Sequence, residues 1–158
     1  MSTENAPGLE TTIAGLREAV GRHLGYTDWE QMSQDRVDLF ADATDDHQFI
    51  HVDVERAKQT PFGGTIAHGF LTLSLVAPVS QQLLRVTDAA FGVNYGLDRV
   101  RFPAPLKVGS QFRGGAELVE VRDVARGVQA KLLVTIETQG SEKPVCVAEQ
   151  LVRVYGGG

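Results

Sequence analysis

Between Phe91 and Tyr155 the hydrophobic pattern has the two-residue period of β-strands, and just before it, from Ile66 to Leu84, lies the most apolar long segment of the chain. Four runs carry the strand pattern: FGVNYGLDRVRF, SQFRGGAELVEVRD, GVQAKLLVTIETQ and PVCVAEQLVRVY. Turn residues separate them, namely Pro103-Ala104-Pro105 with Val108-Gly109, Ala125-Arg126-Gly127, and Gly140 to Lys143. Short connections make consecutive strands antiparallel neighbours. Such a sheet must bury one face. The segment before it has Phe70, Leu71, Leu73, Leu75, Val76, Val79 and Leu83 on several faces, which predicts a largely buried helix, bent near Pro78. The fold class is therefore α+β: helices first, then an antiparallel sheet packed on a central helix.

The N-terminal half supports that core. Residues 1–8 read as a frayed tail, and residues 9–158 as a single domain, since 158 residues give one comfortable core and not two. Ile13, Leu16, Val20 and Leu24 recur at helical steps, predicting an amphipathic helix ended by Gly25. Tyr26 to Met32 reads as extended. Ser33 is placed to cap a second helix carrying Val37, Phe40 and Ala41 on one face, and Val52 to Gln59 holds a further helical turn. The start lacks the basic-then-apolar order of a signal peptide, and no apolar run approaches the roughly 20 residues needed to span a bilayer. The lone Cys146, in an apolar alternating run, leaves no internal disulfide and fits a reducing compartment, so a cytoplasmic location is expected. A net charge of -5 without a Lys/Arg-rich run makes nucleic acid an unexpected partner. No membrane partner is expected either.

The unusual chemistry is concentrated from Phe40 to Leu75, which holds three of the four histidines and an acidic cluster around the first two. Asp46 and His51 flank Phe49 and Ile50, which can fix them against a core. A carboxylate and an imidazole so placed can hold a water and move a proton near neutral pH. Equally, either residue can serve as a helix cap or a satisfied hydrogen bonder. His68 precedes Gly69 at the expected start of the buried helix, where free backbone amides and the helix dipole suit a carbonyl oxygen gaining negative charge. His68 itself reads either as a buried structural histidine or as a residue lining the site. Asp45, Asp46, His47, His51 and Asp53 match no compact zinc spacing, and no G-x-S-x-G elbow is present. No metal is expected.

Asp46-His47-Gln48-Phe49-Ile50-His51-Val52-Asp53, followed by Phe62-Gly63-Gly64-Thr65-Ile66-Ala67-His68-Gly69-Phe70-Leu71, resembles the MaoC-like family of R-specific enoyl-CoA hydratases and 3-hydroxyacyl-thioester dehydratases. That family shows a D-x-N-P-[LIV]-H pattern followed by an I-[AV]-H-G helix start. Asn94-Tyr95-Gly96-Leu97 and Val100 to Pro105 resemble its nodulation protein N-like branch, and the likeness runs from Leu24 to Tyr155. It implies the hotdog fold, a long helix wrapped by an antiparallel sheet and paired into a homodimer. It also implies that Asp46 and His51 hold the catalytic water and that the Gly69 amide receives the thioester carbonyl. Gln48 and Phe49 replace the family's Asn and Pro, Asp45 adds a second charge expected to face solvent, and Ala77 stands where some relatives carry serine.

The activity implied is reversible addition of water to a trans-2-enoyl thioester in fatty acyl metabolism. The alternatives are a non-catalytic acyl-thioester-binding subunit and a thioesterase on the same fold. No cofactor is implied; coenzyme A or acyl carrier protein enters as part of the acyl thioester substrate. His68, Phe62, Gly63 and Asn94 are expected to line its site, with Arg99, Arg101 and Lys107 as contacts for phosphate.

Overall fold

The computed structural model describes residues 8–157. The sheet order is β2-β6-β7-β8-β5, built from β2 (His23–Tyr26), β5 (Ala89–Arg101), β6 (Gln111–Val124), β7 (Gly127–Thr138) and β8 (Cys146–Gly156). A short β3 (Glu30–Gln31) adds to β6 beyond β2. All its pairings are antiparallel. Along β7, Val128, Ala130, Leu132, Val134 and Ile136 are buried against the helix, with the intervening residues on the outer face. This is the two-residue alternation of a sheet covered on one side.

Two helical segments fill the concave side: α4 (Gly69–Ser74) and α5 (Val76–Leu83). Leu71, Leu75, Val76, Val79 and Leu83 pack into the core against Ala116, Leu118, Leu132 and Ala148. A side chain at Gly114 of β6 would overlap Val79, so glycine there lets α5 lie close on the sheet. The helix is shorter than expected and interrupted elsewhere. Ile66 and Ala67 are extended, with amides bonded to the carbonyls of Ile50 and Leu106, and the helix begins at Gly69. The break falls at Leu75 rather than at Pro78, because a proline has no N–H for the carbonyl four residues earlier and crowds it. That carbonyl belongs to Ser74.

The first apolar stretch is not an amphipathic helix. It forms β1 (Leu9–Thr11), one 3₁₀ helix (Ala14–Ala19) and β2. Gly21 adopts φ +88°, which turns the chain after this short helix, and Leu16 and Leu24 still reach the core. β1 pairs in parallel with β4 (Leu84–Val86), tying the N-terminal arm to the end of α5.

A second correction concerns β5. It is not beside β6: it pairs only with β8, at the far edge of the sheet. The Phe102 to Ser110 connection is a crossing, in which the Ala67 amide bonds to the Leu106 carbonyl and the Val108 amide to that of Thr65. Two prolines make it stiff and extended, not a hairpin turn. The expected tail, residues 1–8, lies outside the described residues apart from Gly8. Among the described residues, no helix is long and apolar enough to cross a membrane.

Candidate active site

The acidic cluster is delivered by α1 (Gln34–Thr44), whose N-cap is Ser33, its hydroxyl accepting from the Arg36 amide at 3.2 Å. Asp45 ends this helix at φ +61° and faces solvent, as does Asp46. Asp46 Oδ1 accepts weakly from the Gln48 amide at 3.4 Å. One turn later α2 (Phe49–Val52) swings His51 inward, to 6% exposure. α3 (Val54–Ala57) follows, capped by Asp53, and Arg56 lies over the Phe49 ring at 3.8 Å.

The protonation geometry of His51 follows from its partner. Nδ1 lies 2.7 Å from the Ile66 carbonyl oxygen, which can only accept, so Nδ1 carries the hydrogen and Nε2 is left with a free lone pair. Gln34 fixes the segment from the other side. Its Nε2 donates to the His51 carbonyl at 2.7 Å, and its Oε1 accepts from the Thr65 hydroxyl at 2.6 Å. Burial, with a smaller contribution from the neighbouring His68, lowers the His51 pKa below its ordinary value, outweighing the Ile66 carbonyl and the Asp46 charge. His51 is therefore a neutral base at pH 7.

His68 lies beneath it. The two rings stack at 3.8 Å with 23° between their planes, the Phe40 ring lies 4.9 Å from that of His68, and His68 is 2% exposed. Its Nε2 donates to the backbone carbonyl of Asp46 at 2.9 Å, so one buried ring supports both Asp46 and His51. Its Nδ1 is buried with no hydrogen-bond partner. Nitrogen atoms of the two histidines and an Asp46 carboxylate oxygen all lie within 4.8 Å of one another. A metal ion fits this trio poorly, because stacked imidazoles hold their in-plane lone pairs side by side, and an ion about 2 Å from both nitrogens would meet ring faces. At such a separation one water can bridge an Asp46 carboxylate oxygen and a His51 ring nitrogen.

Gly69, the residue after His68, starts α4, and the first amides of a helix have no acceptor within it. It is exposed and lines a cavity of about 230 Å³ with Phe62, Thr72, Phe102 and the Pro103–Pro105 segment. A side chain at Gly69 would come within 3.3 Å of the Phe102 ring. The structure thus brings together Asp46, His51 and His68, with Gly69 next to His68 in the chain, and Phe62 joins Gly69 on the wall of its cavity. Gly63, at φ +72°, forms the turn just beyond Phe62.

Other expected residues fall elsewhere within one chain. Asn94 lines separate cavities along α5. Arg99 and Arg101 flank a depression with Leu133, Val147 and Glu149 on the outer face of the sheet, because strand alternation turns them away from the central helix. Lys107 is nearer: its backbone bridges Ile66, whose carbonyl holds His51. His47 is solvent-facing and ion-paired with Asp42 at 2.8 Å, which raises its pKa. Cys146 is buried, its thiol pushed up to about 11 by that burial, and is a core residue.

Residues 16–139 match the family described as the MaoC-like domain. The chain belongs to the MaoC-like family. Among its relatives, a protein named 3-hydroxyacyl-thioester dehydratase Z from Mycobacterium tuberculosis is 51% identical over 143 residues, covering 90% of this chain and 95% of that one. Nodulation protein N of Rhizobium leguminosarum is 44% identical, covering 88% of each. An R-hydratase from A. caviae, described as involved in PHA biosynthesis, superposes with a TM-score of 0.70 at 26% identity, covering 84% of this MaoC-like chain and 94% of its own. The fold is the hotdog.

Proposed function

We propose that the protein is a hydro-lyase that reversibly adds water to a trans-2-enoyl thioester, giving the R-3-hydroxyacyl thioester. The observation that carries this reading is the hydrogen bond from His51 Nδ1 to the Ile66 carbonyl, which leaves Nε2 with a free lone pair on a ring that has a nitrogen within 4.8 Å of an Asp46 carboxylate oxygen. A water held between these groups loses a proton to the pair as its oxygen bonds to the β-carbon. Electron density moves through the conjugated system to the thioester oxygen, stabilised by the Gly69 amide at the helix start. Protonation of the α-carbon completes hydration, and the reverse sequence expels water. Dehydratase and hydratase relatives with matching folds support the assignment.

The substrate is an acyl thioester of coenzyme A or acyl carrier protein, and the reaction uses no metal or redox group. Phe62 and Phe102 wall the cavity beside Gly69, and Lys107, whose backbone bridges Ile66, is the contact proposed for phosphate. A homodimer is proposed because β5 leaves an exposed apolar edge, and a cytoplasmic location because the single cysteine is a free core thiol.

The test is the ultraviolet absorbance of the conjugated thioester when the protein meets crotonyl-CoA and longer trans-2-enoyl-CoAs, with a thiol assay in parallel. Absorbance should fall without release of thiol, chiral analysis should give the R product, and His51→Ala should lose at least about a hundredfold in rate. Thiol release would make the protein a thioesterase, and undiminished turnover in His51→Ala would refute the role of the pair.

A further inference from the structure

Gln34 is the first residue of α1, a helix anchored by Val37 and Ala41, both wholly buried. Its side-chain amide is fully engaged. Nε2 donates to the His51 carbonyl at 2.7 Å and to Asp38 Oδ1 at 2.8 Å, and Oε1 accepts from the Thr65 hydroxyl at 2.6 Å. A carbonyl and an ionised carboxylate can only accept, so both amide hydrogens are committed and the orientation of the amide is fixed.

Two of these partners belong to the segments that make the base. α2, which carries His51, is four residues long, too short to be stable alone, and its last carbonyls have no donor within the helix. Thr65 precedes Ile66, whose carbonyl takes the His51 Nδ1 hydrogen and whose amide donates to the Ile50 carbonyl at 3.0 Å. A single backbone bond of this kind leaves a pivot between two segments. Gln34 adds a second tie, from the His51 carbonyl to the Thr65 side chain, and refers both segments to a helix seated in the core.

We propose that Gln34 is a positioning residue for the reaction: its amide clamps the His51 backbone to the Thr65–Ile66 segment, so that the imidazole keeps its hydrogen on Nδ1 and its Nε2 free to act as base. The proposal rests on the hydratase reading above and adds to it the group that orients the base. An amide is the group required, because leucine of similar size offers no bond and glutamate at neutral pH offers no donor. Without the tie the imidazole can turn, or exchange its hydrogen between nitrogens, and a reacting group misplaced by about an ångström can cost about a hundredfold in rate. Asp38 is the ionisable side chain bonded to Gln34, and His68 and Asp46 are those that act on His51.

The experiment compares the wild-type protein with Gln34→Leu and Gln34→Glu on a trans-2-enoyl-CoA. Gln34→Leu should lose about ten- to a hundredfold in kcat with KM near the wild-type value. Glutamate suits the first turn of a helix, so Gln34→Glu keeps the fold should leucine disturb it. Its carboxylate repels the His51 carbonyl and Asp38 at neutral pH, whereas the protonated acid donates one hydrogen and accepts another, as the amide does. The kcat of Gln34→Glu relative to wild type should therefore rise as pH falls. Wild-type kcat in either variant at neutral pH overturns the inference, as does a relative loss that is the same at every pH. Nitrogen NMR of the histidine rings gives a readout independent of turnover: the His51 hydrogen should reside on Nδ1 in the wild-type protein and be shared between both nitrogens in the variants at neutral pH. Unchanged His51 signals overturn the proposal. Changed signals in a protein that turns over no enoyl-CoA uphold the role of Gln34 at His51 while the hydratase reading fails.

Discussion

Asp46 and His51 do different things to the solvent around them, and the contrast sets the pH behaviour of the site. Asp46 is open to water, whereas His51 is buried, and burial is the main cause of its lowered pKa, with His68 adding to it. The folded imidazole therefore resists a proton that the unfolded one accepts. Between the ordinary value of 6.5 and the lowered folded value, the unfolded state binds more protons, so stability is full above pH 6.5 and declines as pH falls below it. Each unit of depression corresponds to about 1.4 kcal/mol. The acid limb of kcat/KM for hydration should accordingly lie below pH 6.5, and melting temperature should fall over the same interval. A limb at or above 6.5 would show that the free enzyme holds His51 charged. The pair itself was legible in the sequence because its members are five residues apart on one turn-and-helix segment. Gln34 was not: it reaches His51 across 17 residues and Thr65 across 31, and nothing local distinguishes it from other polar residues near a helix start.

At the scale of elements, the helix start is the part proposed to act through its backbone, and it can be tested through the backbone. His68 has φ -58° and ψ 143°, the conformation preferred before proline, and proline is well tolerated at the first position of a helix. Gly69→Pro therefore removes the amide donor at little cost to the helix, although the Phe102 ring must yield by a few tenths of an ångström. Turnover should drop by about a hundredfold or more while circular dichroism keeps the wild-type spectrum. Wild-type kcat in that variant would remove Gly69 from the mechanism. The four long strands and the central helix were legible because each repeats its period over many residues. Where connection and pairing decide, local pattern failed. Residues 102–110 contain turn formers yet cross the molecule, and β5 finds its partner in β8, more than 40 residues away. Likewise Ile13, Leu16 and Leu24 keep helical spacing, but Gly15 and Gly21 interrupt them and pairing to β4 and β6 takes the ends.

Across the whole molecule, the feature left unmatched is the free edge of the sheet. β5 is 13 residues long and pairs on one side only, and Phe91, Val93, Tyr95 and Leu97 are 58%, 44%, 53% and 38% exposed along it. Phe70, on the adjoining helix, is 71% exposed. A long apolar edge is an invitation to strand addition, and natural sheets blunt, cover or pair such edges. A second copy meeting the first about a two-fold axis would set β5 antiparallel to β5, pairing its free backbone groups and covering the same side chains on both subunits. It would also bring the cavity lined by Ala77, Asn94, Leu97 and Gln150 against the partner, since Asn94 and Leu97 lie on that edge. Sedimentation at micromolar concentration should give twice the 17.1 kDa of the chain. Val93→Lys with Leu97→Lys, which buries like charges beside their own copies, should shift the protein to monomer and lower activity in step with dissociation. A wild-type protein that sediments as a monomer at these concentrations would refute the paired edge, and full activity in a monomeric variant would show that the site of one chain suffices.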